Sequence, residues 1–229
     1  MTKTQMKTDT QKLVLGAVFT ALVVILQLMG AFIKFGPFSI SLVLIPIVLG
    51  AATCGVGIGT WLGAVFGVVV LLSGDASPFM AVNPAGTIIT VLLKGAGCGF
   101  AAAAVFKAVD CSLKKHNEKK IERLVENKML CANCKHTMIQ YFSRNSQYVA
   151  VVAAAIVCPL VNTGIFLIGC LVFFFDTISE WAQAAGLGGG VGTYMIVGLV
   201  GFNFLFELGT NIVLSPVVTR LLNIRRKLK

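Results

Sequence analysis

Two ionisable side chains, Lys94 and Glu207, lie inside long apolar stretches of this 229-residue sequence. A charged side chain at the centre of a membrane-spanning helix costs about 2.5–3.5 kcal/mol on insertion scales, so it normally faces the interior of a helix bundle. Such side chains often mark a substrate or ion pathway. Lys94 and Glu207 are therefore the first candidates for chemistry in this chain.

Asparagine side chains accompany Glu207 on the same apolar run. Asn203 and Asn211 stand four residues before and after it, so the three form one polar stripe along a helix. Asn162, in the preceding run, falls at a comparable depth. Two interpretations are open: Lys94 and Glu207 form an ion pair that holds a bundle together, or these groups form the polar wall of a cavity for a small solute.

The pair Asn83 and Pro84 predicts the start of a helix, because Asn is a favoured N-cap and Pro a favoured first helical residue. We expect this start to lie at the outer face of a membrane. Lys94 then lies about 15 Å below it. The helix N-terminus and Lys94 would together suit an anionic group such as a carboxylate. The alternative is that Asn83 only caps the helix.

The sequence contains no G-x-x-x-x-G-K-[ST], G-x-S-x-G or H-E-x-x-H motif, so we expect neither ATP hydrolysis nor another enzymatic activity. Cys131, Cys134 and His136, together with His116 or Cys111, could supply four soft ligands for Zn²⁺. A second closely spaced Cys pair is missing. We therefore expect a reduced, exposed segment rather than a zinc site or a redox pair, and no cofactor.

The composition indicates the kind of fold that holds these side chains. The chain is 57% hydrophobic and only 12% charged, roughly half the charged fraction of an ordinary soluble domain. Residues 13–33 form an uncharged run that spans about 31 Å as a helix, enough to cross the hydrocarbon core. These features predict an all-α membrane protein. Further apolar runs cover residues 40–53, 56–72, 84–106, 148–175 and 192–222.

The basic residues lie in three blocks, and the blocks set the topology. The N-terminal tail, residues 107–144 and residues 220–229 hold 17 of the 19 Lys and Arg. Cytoplasmic loops carry such an excess, whereas no motif supports nucleic-acid binding. All three blocks share one side only if residues 40–53 and 56–72 are two crossings. We therefore predict a six-transmembrane-helix bundle with both termini cytoplasmic.

This topology divides the chain into five segments. The middle one is predicted to be a basic cytoplasmic loop in which a short amphipathic helix lies on the anionic inner leaflet. The segments are a cytoplasmic tail (1–12), transmembrane helices one to four (13–106), the basic loop (107–147), helices five and six (148–222) and a second cytoplasmic tail (223–229).

Glycine recurs every four residues in the third and fourth predicted helices. Small residues at this spacing let two helix backbones approach closely in lipid. We expect these glycines to serve packing rather than function. They are Gly59, Gly63 and Gly67 in the third helix and Gly95 and Gly99 in the fourth.

Three short motifs follow one another along the predicted helices. The first pairs two small residues, and the other two contain the polar side chains introduced above. They are Ala17-Val-Phe-Thr-Ala21 in the first helix, Asn83-Pro-Ala-Gly86 followed by Lys94-Gly95 in the fourth, and the stripe of Asn203, Glu207 and Asn211 in the sixth.

In this order the motifs resemble the substrate-binding S components of energy-coupling factor (ECF) vitamin transporters. The first is similar to the family's Ala-x-x-x-Ala docking motif, the second to its folate and pantothenate branch, and the third to its sixth helix. The resemblance covers nearly the whole chain except residues 107–147, which depart from the family's usual short connection. It implies a protein without enzymatic activity in a bacterial cell membrane.

The resemblance also implies how such a protein works. It binds a trace vitamin from outside, docks on a membrane coupling subunit driven by two ATPase subunits, and topples within the membrane. For this chain we expect a carboxylate-bearing vitamin, pantothenate ahead of folate. The implied roles are docking through Ala17 and Ala21, gating by the loop of Phe35, Gly36, Pro37 and Phe38, and substrate binding by Asn83, Lys94, Asn162, Asn203 and Glu207.

A second class of transporter is the main alternative. A carboxylate within the membrane can relay protons, so Glu207 could serve a proton-coupled secondary transporter. Such a protein would need a proton gradient and no ATPase partners.

Overall fold

The computed structural model describes residues 3–30, 34–35, 38–39, 42–126, 132–186 and 190–227, and nearly all of them are helical. The predicted all-α class is therefore confirmed. In chain order the elements are α1 (Lys3–Gly30), β1 (Lys34–Phe35), β2 (Phe38–Ser39), α2 (Leu44–Cys54), α3 (Val56–Leu72), α4 (Ser77–Met80), α5 (Pro84–Glu126), α6 (Ala132–Phe173), α7 (Phe175–Ala184), α8 (Gly190–Thr193), the π-helical segment η1 (Tyr194–Gly201) and α9 (Phe202–Lys227).

Four helical stretches in the described part of the chain are long and apolar enough to cross a membrane. Two further helices, α2 and α3, are apolar but shorter, with 11 and 17 residues. Each of the six apolar runs in the sequence therefore contains a helix. The four long stretches are Thr10–Gly30, Pro84–Val125, Thr137–Phe173 and Gly190–Leu222.

The chain turns between α2 and α3 at Gly55, whose φ angle is 92°. A residue with a side chain is strained at such a positive φ, whereas glycine adopts it readily. The Gly55 N–H donates to the carbonyl oxygen of Ala51 at 3.1 Å, which closes the last turn of α2. The break therefore falls at the glycine-rich turn that the sequence places between the two apolar runs.

One small element departs from the all-helical expectation. Between α1 and α2, Lys34 pairs with Ser39 and Phe35 with Phe38 in an antiparallel ladder of two-residue strands. The hydrophobic pattern does not indicate this pair, because period-two alternation needs at least four residues to be recognised.

Residues 107–147 also differ from the predicted loop with one short helix. α5 and α6 both continue through most of this segment, so each is roughly 60–65 Å long, about twice the thickness of the hydrocarbon core. Ser146 Oγ on α6 donates to Asp110 Oδ1 on α5 at 3.4 Å, and Ile121 is only 3% exposed. Lys114 forms an ion pair with Asp110 one turn away. The polar composition of this segment led to the prediction of a solvent-exposed loop. Its many Lys and Glu residues are also good helix formers, which explains why both helices continue.

The backbones of α3 and α5 touch at four glycines, which we call the glycine seam: Gly59, Gly63, Gly95 and Gly99. A Cβ atom placed on Gly63 would overlap the carbonyl oxygen of Gly95, and one on Gly95 would overlap the carbonyl oxygen of Gly63. One turn away, a Cβ atom on Gly99 would overlap the carbonyl oxygen of Gly59, and one on Gly59 would lie 3.0 Å from the carbonyl oxygen of Gly99. The close approach predicted from the glycine spacing is thus confirmed, and it suits lipid, where packing drives helix association.

The C-terminal helix is almost continuous from α8 to α9 but widens into the π-helical segment η1. Met195 and Leu199 of this segment are each 4% exposed and face the bundle interior. π-helical turns are rare and often occur at functional sites. Here the segment directly precedes Asn203 and Glu207, so its wider turn affects the direction in which the polar stripe of α9 points.

Candidate ligand-binding cavity

A cavity lies between the helices at the level of Lys94 and Glu207. Its empty space, with the open mouth included, is about 800 Å³. Side chains from α1, α3, α4, α5, α6, η1 and α9 contribute to its walls. No single helix therefore builds the site, and its shape depends on how all of these helices pack.

Lys94 extends into this cavity between two aromatic rings. Its Nζ atom lies 5.3 Å from the ring centroid of Phe166 and 5.8 Å from that of Phe66. A cation at this distance from an aromatic face is stabilised by the ring quadrupole. A ring does not replace a full hydrogen-bond acceptor, however, and an ammonium group carries three donors. The Lys94 ammonium can therefore still bind an anionic group of a ligand.

Glu207 on α9 contributes a second charged group to the cavity wall and is only 2% exposed. Asn203 Nδ2 donates to Glu207 Oε1 at 3.2 Å, which holds the carboxylate toward the cavity. Asn211 does not line the cavity. Its Nδ2 donates instead to the backbone carbonyl of Glu207 at 2.8 Å. Of the predicted stripe, Asn203 and Glu207 therefore line the cavity, whereas Asn211 stabilises the α9 backbone one turn further along.

The ion pair considered from the sequence is not formed. Lys94 and Glu207 both line the cavity, yet the ion pairs among the described residues do not include one between them. The two opposite charges face the same space from different helices. Of the two interpretations that the sequence leaves open, this arrangement favours the polar cavity wall.

The predicted substrate-binding residues separate into two groups. Lys94, Asn162, Asn203 and Glu207 all lie at the cavity wall. Asn83 lies away from it and caps α5: its Oδ1 accepts a hydrogen bond from the Gly86 N–H at 3.0 Å. The helix thus begins at the predicted position, and the Asn83 side chain is engaged at the helix end. A role in substrate binding stays a prediction for all five residues.

Several lining residues were not identified from the sequence. Gln27 of α1 is 1% exposed, and its Nε2 donates to Asp75 Oδ2 at 2.8 Å across the cavity edge. Thr90 lies one turn before Lys94 on the same face of α5. Two features of the sequence could have indicated these residues. Gln27 is a single amide within the apolar first run, and Thr90 stands four residues before Lys94.

An aromatic cluster borders the cavity near the start of α5. The ring of Phe79 in α4 contacts the rings of Phe166, Phe174 and Trp181 at centroid distances of 5.6, 5.0 and 5.6 Å. All three contacts are edge-to-face, a favoured geometry for aromatic pairs. Phe79, Phe166 and Phe174 also line the cavity, so these rings form its apolar border.

The predicted docking and gating residues lie elsewhere. Ala17 and Ala21 are exposed on α1, while Phe19 and Val23 of the same helix are buried in the bundle. The two alanines therefore lie on a face that no other described helix covers. For the gate, the backbones of Phe35 and Phe38 pair as described above, and Gly36 and Pro37 lie outside the described residues.

The candidate metal ligands lie only partly within the described residues. Cys131 lies outside the described residues, the side chain of His136 is not described, and Cys134 is exposed on α6. In the part of the chain that the structure describes, no group of three or more His, Cys, Asp or Glu side chains is placed to hold a metal ion.

Comparison with known proteins gives one result. The family model of the ECF transporter substrate-specific component matches residues 11–219, which include the cavity and the long α5 and α6 helices. No similar curated protein and no similar solved structure was found. The family comprises substrate-binding parts of transporters rather than enzymes. Because the match covers nearly the whole chain, this multi-pass membrane protein belongs to the family of ECF transporter substrate-specific components.

Proposed function

We propose that this protein binds a small carboxylate-bearing vitamin from outside and carries it into the cell as the S component of an ATP-driven ECF importer. Pantothenate is the first candidate and folate the second. The observation that carries the proposal is the position of Lys94: in a chain of this family, a cation extends into a cavity between the helices without an ion-pair partner among the described residues. A ligand carboxylate would supply that partner.

The chemistry of the cavity supports a ligand of mixed polarity. Phe66 and Phe166 provide apolar surface beside the ammonium group, and Asn162, Asn203 and Glu207 provide hydrogen-bonding groups. Small-molecule sites typically combine apolar walls with a few converging polar groups. A vitamin with a short carbon skeleton, a carboxylate and several polar groups fits this description.

For the membrane topology we propose six crossings in a bacterial cell membrane, with both termini and the α5–α6 extension in the cytoplasm. The three basic blocks support this arrangement. Cys111 on α5 and Cys134 on α6 are exposed and allow a test. A membrane-impermeant thiol reagent should label them only after the cells are opened. Labelling in intact cells would contradict this topology.

For the partners we propose a membrane coupling subunit and two ATPase subunits, with Ala17 and Ala21 as the docking face. The exposure of both residues supports this assignment, since small side chains allow another helix to approach closely in lipid. Ala17→Trp and Ala21→Trp should then leave the isolated protein folded and able to bind its vitamin, but prevent co-purification with the coupling subunit.

Uptake of radiolabelled pantothenate and folate into proteoliposomes that contain all four subunits tests the proposal as a whole. We expect uptake that requires ATP, that Ala17→Trp abolishes, and that the control Val213→Trp retains, because Val213 is 73% exposed and lies on α9 rather than on α1. Complex formation by both alanine variants would contradict the docking assignment.

One observation favours the alternative of a proton-coupled transporter: Glu207 is a buried carboxylate on a membrane-spanning helix. The same proteoliposomes distinguish the two functions. Uptake by this protein alone, driven by a proton gradient and abolished by Glu207→Gln, would replace the ATP-driven importer by the secondary transporter.

A further inference from the structure

The cavity contains most of the buried polar atoms that lack a hydrogen-bond partner. In the described part of the chain, six buried side-chain oxygens have no such partner. Buried polar groups are nearly always paired in folded proteins, so each exception requires an explanation. Five of the six belong to residues that line this one cavity: Gln27 Oε1, Thr90 Oγ1, Asn162 Oδ1, Asn203 Oδ1 and Glu207 Oε2.

At least three of these atoms are hydrogen-bond acceptors only. The amide of Gln27 is oriented by its Nε2, which donates to Asp75. The amide of Asn203 is oriented in the same way by its Nδ2, which donates to Glu207 Oε1. In both cases a carboxylate accepts from the nitrogen, so the carbonyl oxygen must be the atom that is left over. Glu207 Oε2 belongs to a carboxylate, which offers lone pairs and no proton when ionised.

The polar groups of the cavity thus have opposite requirements. The Lys94 ammonium offers only donors and needs an acceptor, for which a carboxylate is the strongest choice. The neighbouring oxygens of Asn203 and Glu207 offer acceptors and need donors. A ligand that met only one of these requirements would leave the other group desolvated and unpaired, which weakens binding.

We propose, on the basis of the proposed function, that the substrate is a bipolar molecule: its carboxylate binds Lys94, and a hydroxyl or N–H group donates to Glu207 Oε2 and Asn203 Oδ1. Glu207 and Asn203 therefore determine specificity by accepting a hydrogen bond from a donor on the ligand, while Lys94 recognises the negative charge of the ligand carboxylate. A site built to bind a donor rejects analogues that lack it far more strongly than an apolar pocket rejects a missing methylene.

Calorimetric titration of the purified protein in detergent can separate the two requirements. Pantothenate carries a carboxylate, two hydroxyls and an amide N–H. Panthenol keeps those donors but has an alcohol in place of the carboxylate, and octanoate keeps a carboxylate without any of them. We expect pantothenate to bind, and both analogues to bind at least about 100-fold more weakly. Equal binding of octanoate and pantothenate would overturn the donor requirement, and equal binding of panthenol would overturn the carboxylate requirement.

Variants assign the two requirements to residues. In Lys94→Met, pantothenate and panthenol should bind with similar affinity, because the ammonium group that recognises the carboxylate has been removed. Glu207→Gln should weaken both by about 10- to 100-fold, since its amide can present a donor where an acceptor is required. Gln147→Leu is the matched control: Gln147 carries the sixth unpaired buried oxygen but does not line the cavity, so this variant should bind pantothenate like the wild type. The analogue series on wild-type protein keeps the test decisive if a variant fails to fold.

Further outcomes distinguish this inference from the proposed function. ATP-dependent vitamin uptake with an unchanged affinity of Glu207→Gln would overturn the bipolar assignment and leave the importer in place. Tighter binding of thiamine, a cation without a carboxylate, would overturn the assignment of Lys94. If neither pantothenate nor folate binds, the substrate class fails together with the inference.

Discussion

The two faces of α5 differ in how completely their atoms are paired. On the face toward α3, the glycine seam brings two backbones into contact and leaves no room for a single added carbon. On the face that carries Lys94 and Thr90, the helix borders a cavity of about 800 Å³ in which buried oxygens have no partner among the described residues. The same helix, α5, is therefore tightly packed on one face and borders unpaired polar atoms on another.

This difference separates stability from binding. Unpaired buried polar groups cost free energy, so a cavity of this kind can persist only where the surrounding structure is firmly packed. The seam provides such packing, because the backbones of α3 and α5 approach so closely at Gly63 and Gly95 that neither position has room for a Cβ atom. Substitutions in the seam should therefore act on folding, and substitutions in the cavity should act on affinity.

The largest effect is expected in the seam. In Gly63→Ala or Gly95→Ala, the new Cβ atom would overlap a backbone carbonyl oxygen that cannot rotate away. We expect a loss of about 3 kcal/mol or more of stability, or no folded protein, at the upper end of the range for overpacked cores. The measurement is thermal unfolding in detergent, with the yield of monodisperse protein as a second readout. Unchanged melting of both variants would show that the seam has room for a methyl group and would contradict this prediction.

The next largest effect is expected at Lys94, on the cavity side of the same helix. Lys94→Ala should weaken vitamin binding by about 100-fold, since a charged partner of a ligand carboxylate is removed, while the melting temperature without ligand changes little. Paired melting and titration data for Lys94→Ala and Glu207→Ala provide the check. If both variants have a lower melting temperature and neither selectively loses affinity for the vitamin, the two residues stabilise the fold rather than bind the ligand.

A smaller effect is expected where α1 joins the cavity edge. Gln27→Leu removes the 2.8 Å hydrogen bond to Asp75, and such bonds in membrane proteins contribute about 0.6 kcal/mol on average and up to about 1.7. We expect a slightly lower melting temperature and a few-fold loss of affinity. Ser73→Ala is the control, because Ser73 Oγ donates to the same carboxylate oxygen at a longer 3.2 Å. If Ser73→Ala lowers the melting temperature and the affinity more than Gln27→Leu does, Asp75 is held in place mainly by Ser73 in its own turn and not by Gln27 of α1.

The smallest effect is expected at helical glycines outside both regions. Gly57 of α3 and Gly209 of α9 have no atom within 4 Å of an added Cβ. Gly57→Ala and Gly209→Ala should leave binding unchanged and alter stability by at most about 1 kcal/mol, in the stabilising direction, because alanine favours a helix over glycine. Clear destabilisation by either variant would indicate a contact with a partner that the isolated chain does not contain.

Much of the candidate site could be predicted from spacing alone. The apolar runs place Lys94 and Glu207 in membrane-spanning stretches, and Asn83 with Pro84 marks the first turn of α5. Gln27 could not be assigned in this way, because its contact with Asp75 joins residues 48 positions apart in the chain. Sequence spacing reports on one helix at a time, and this contact depends on how α1 packs against the others.

The helical class, the break at Gly55 and the glycine repeats of α3 and α5 could be predicted from sequence, since each follows from local backbone preference or from a repeat on one helix face. That the two repeats meet each other in the glycine seam depends on tertiary packing. The packing of the bundle settles two further points: Lys94 and Glu207 face one cavity without pairing, and Gln27 of α1 contacts Asp75. These outcomes depend on the rotation and distance of helices relative to one another. Such long-range packing is set by all contacts in the bundle together, so no single segment of the sequence encodes it.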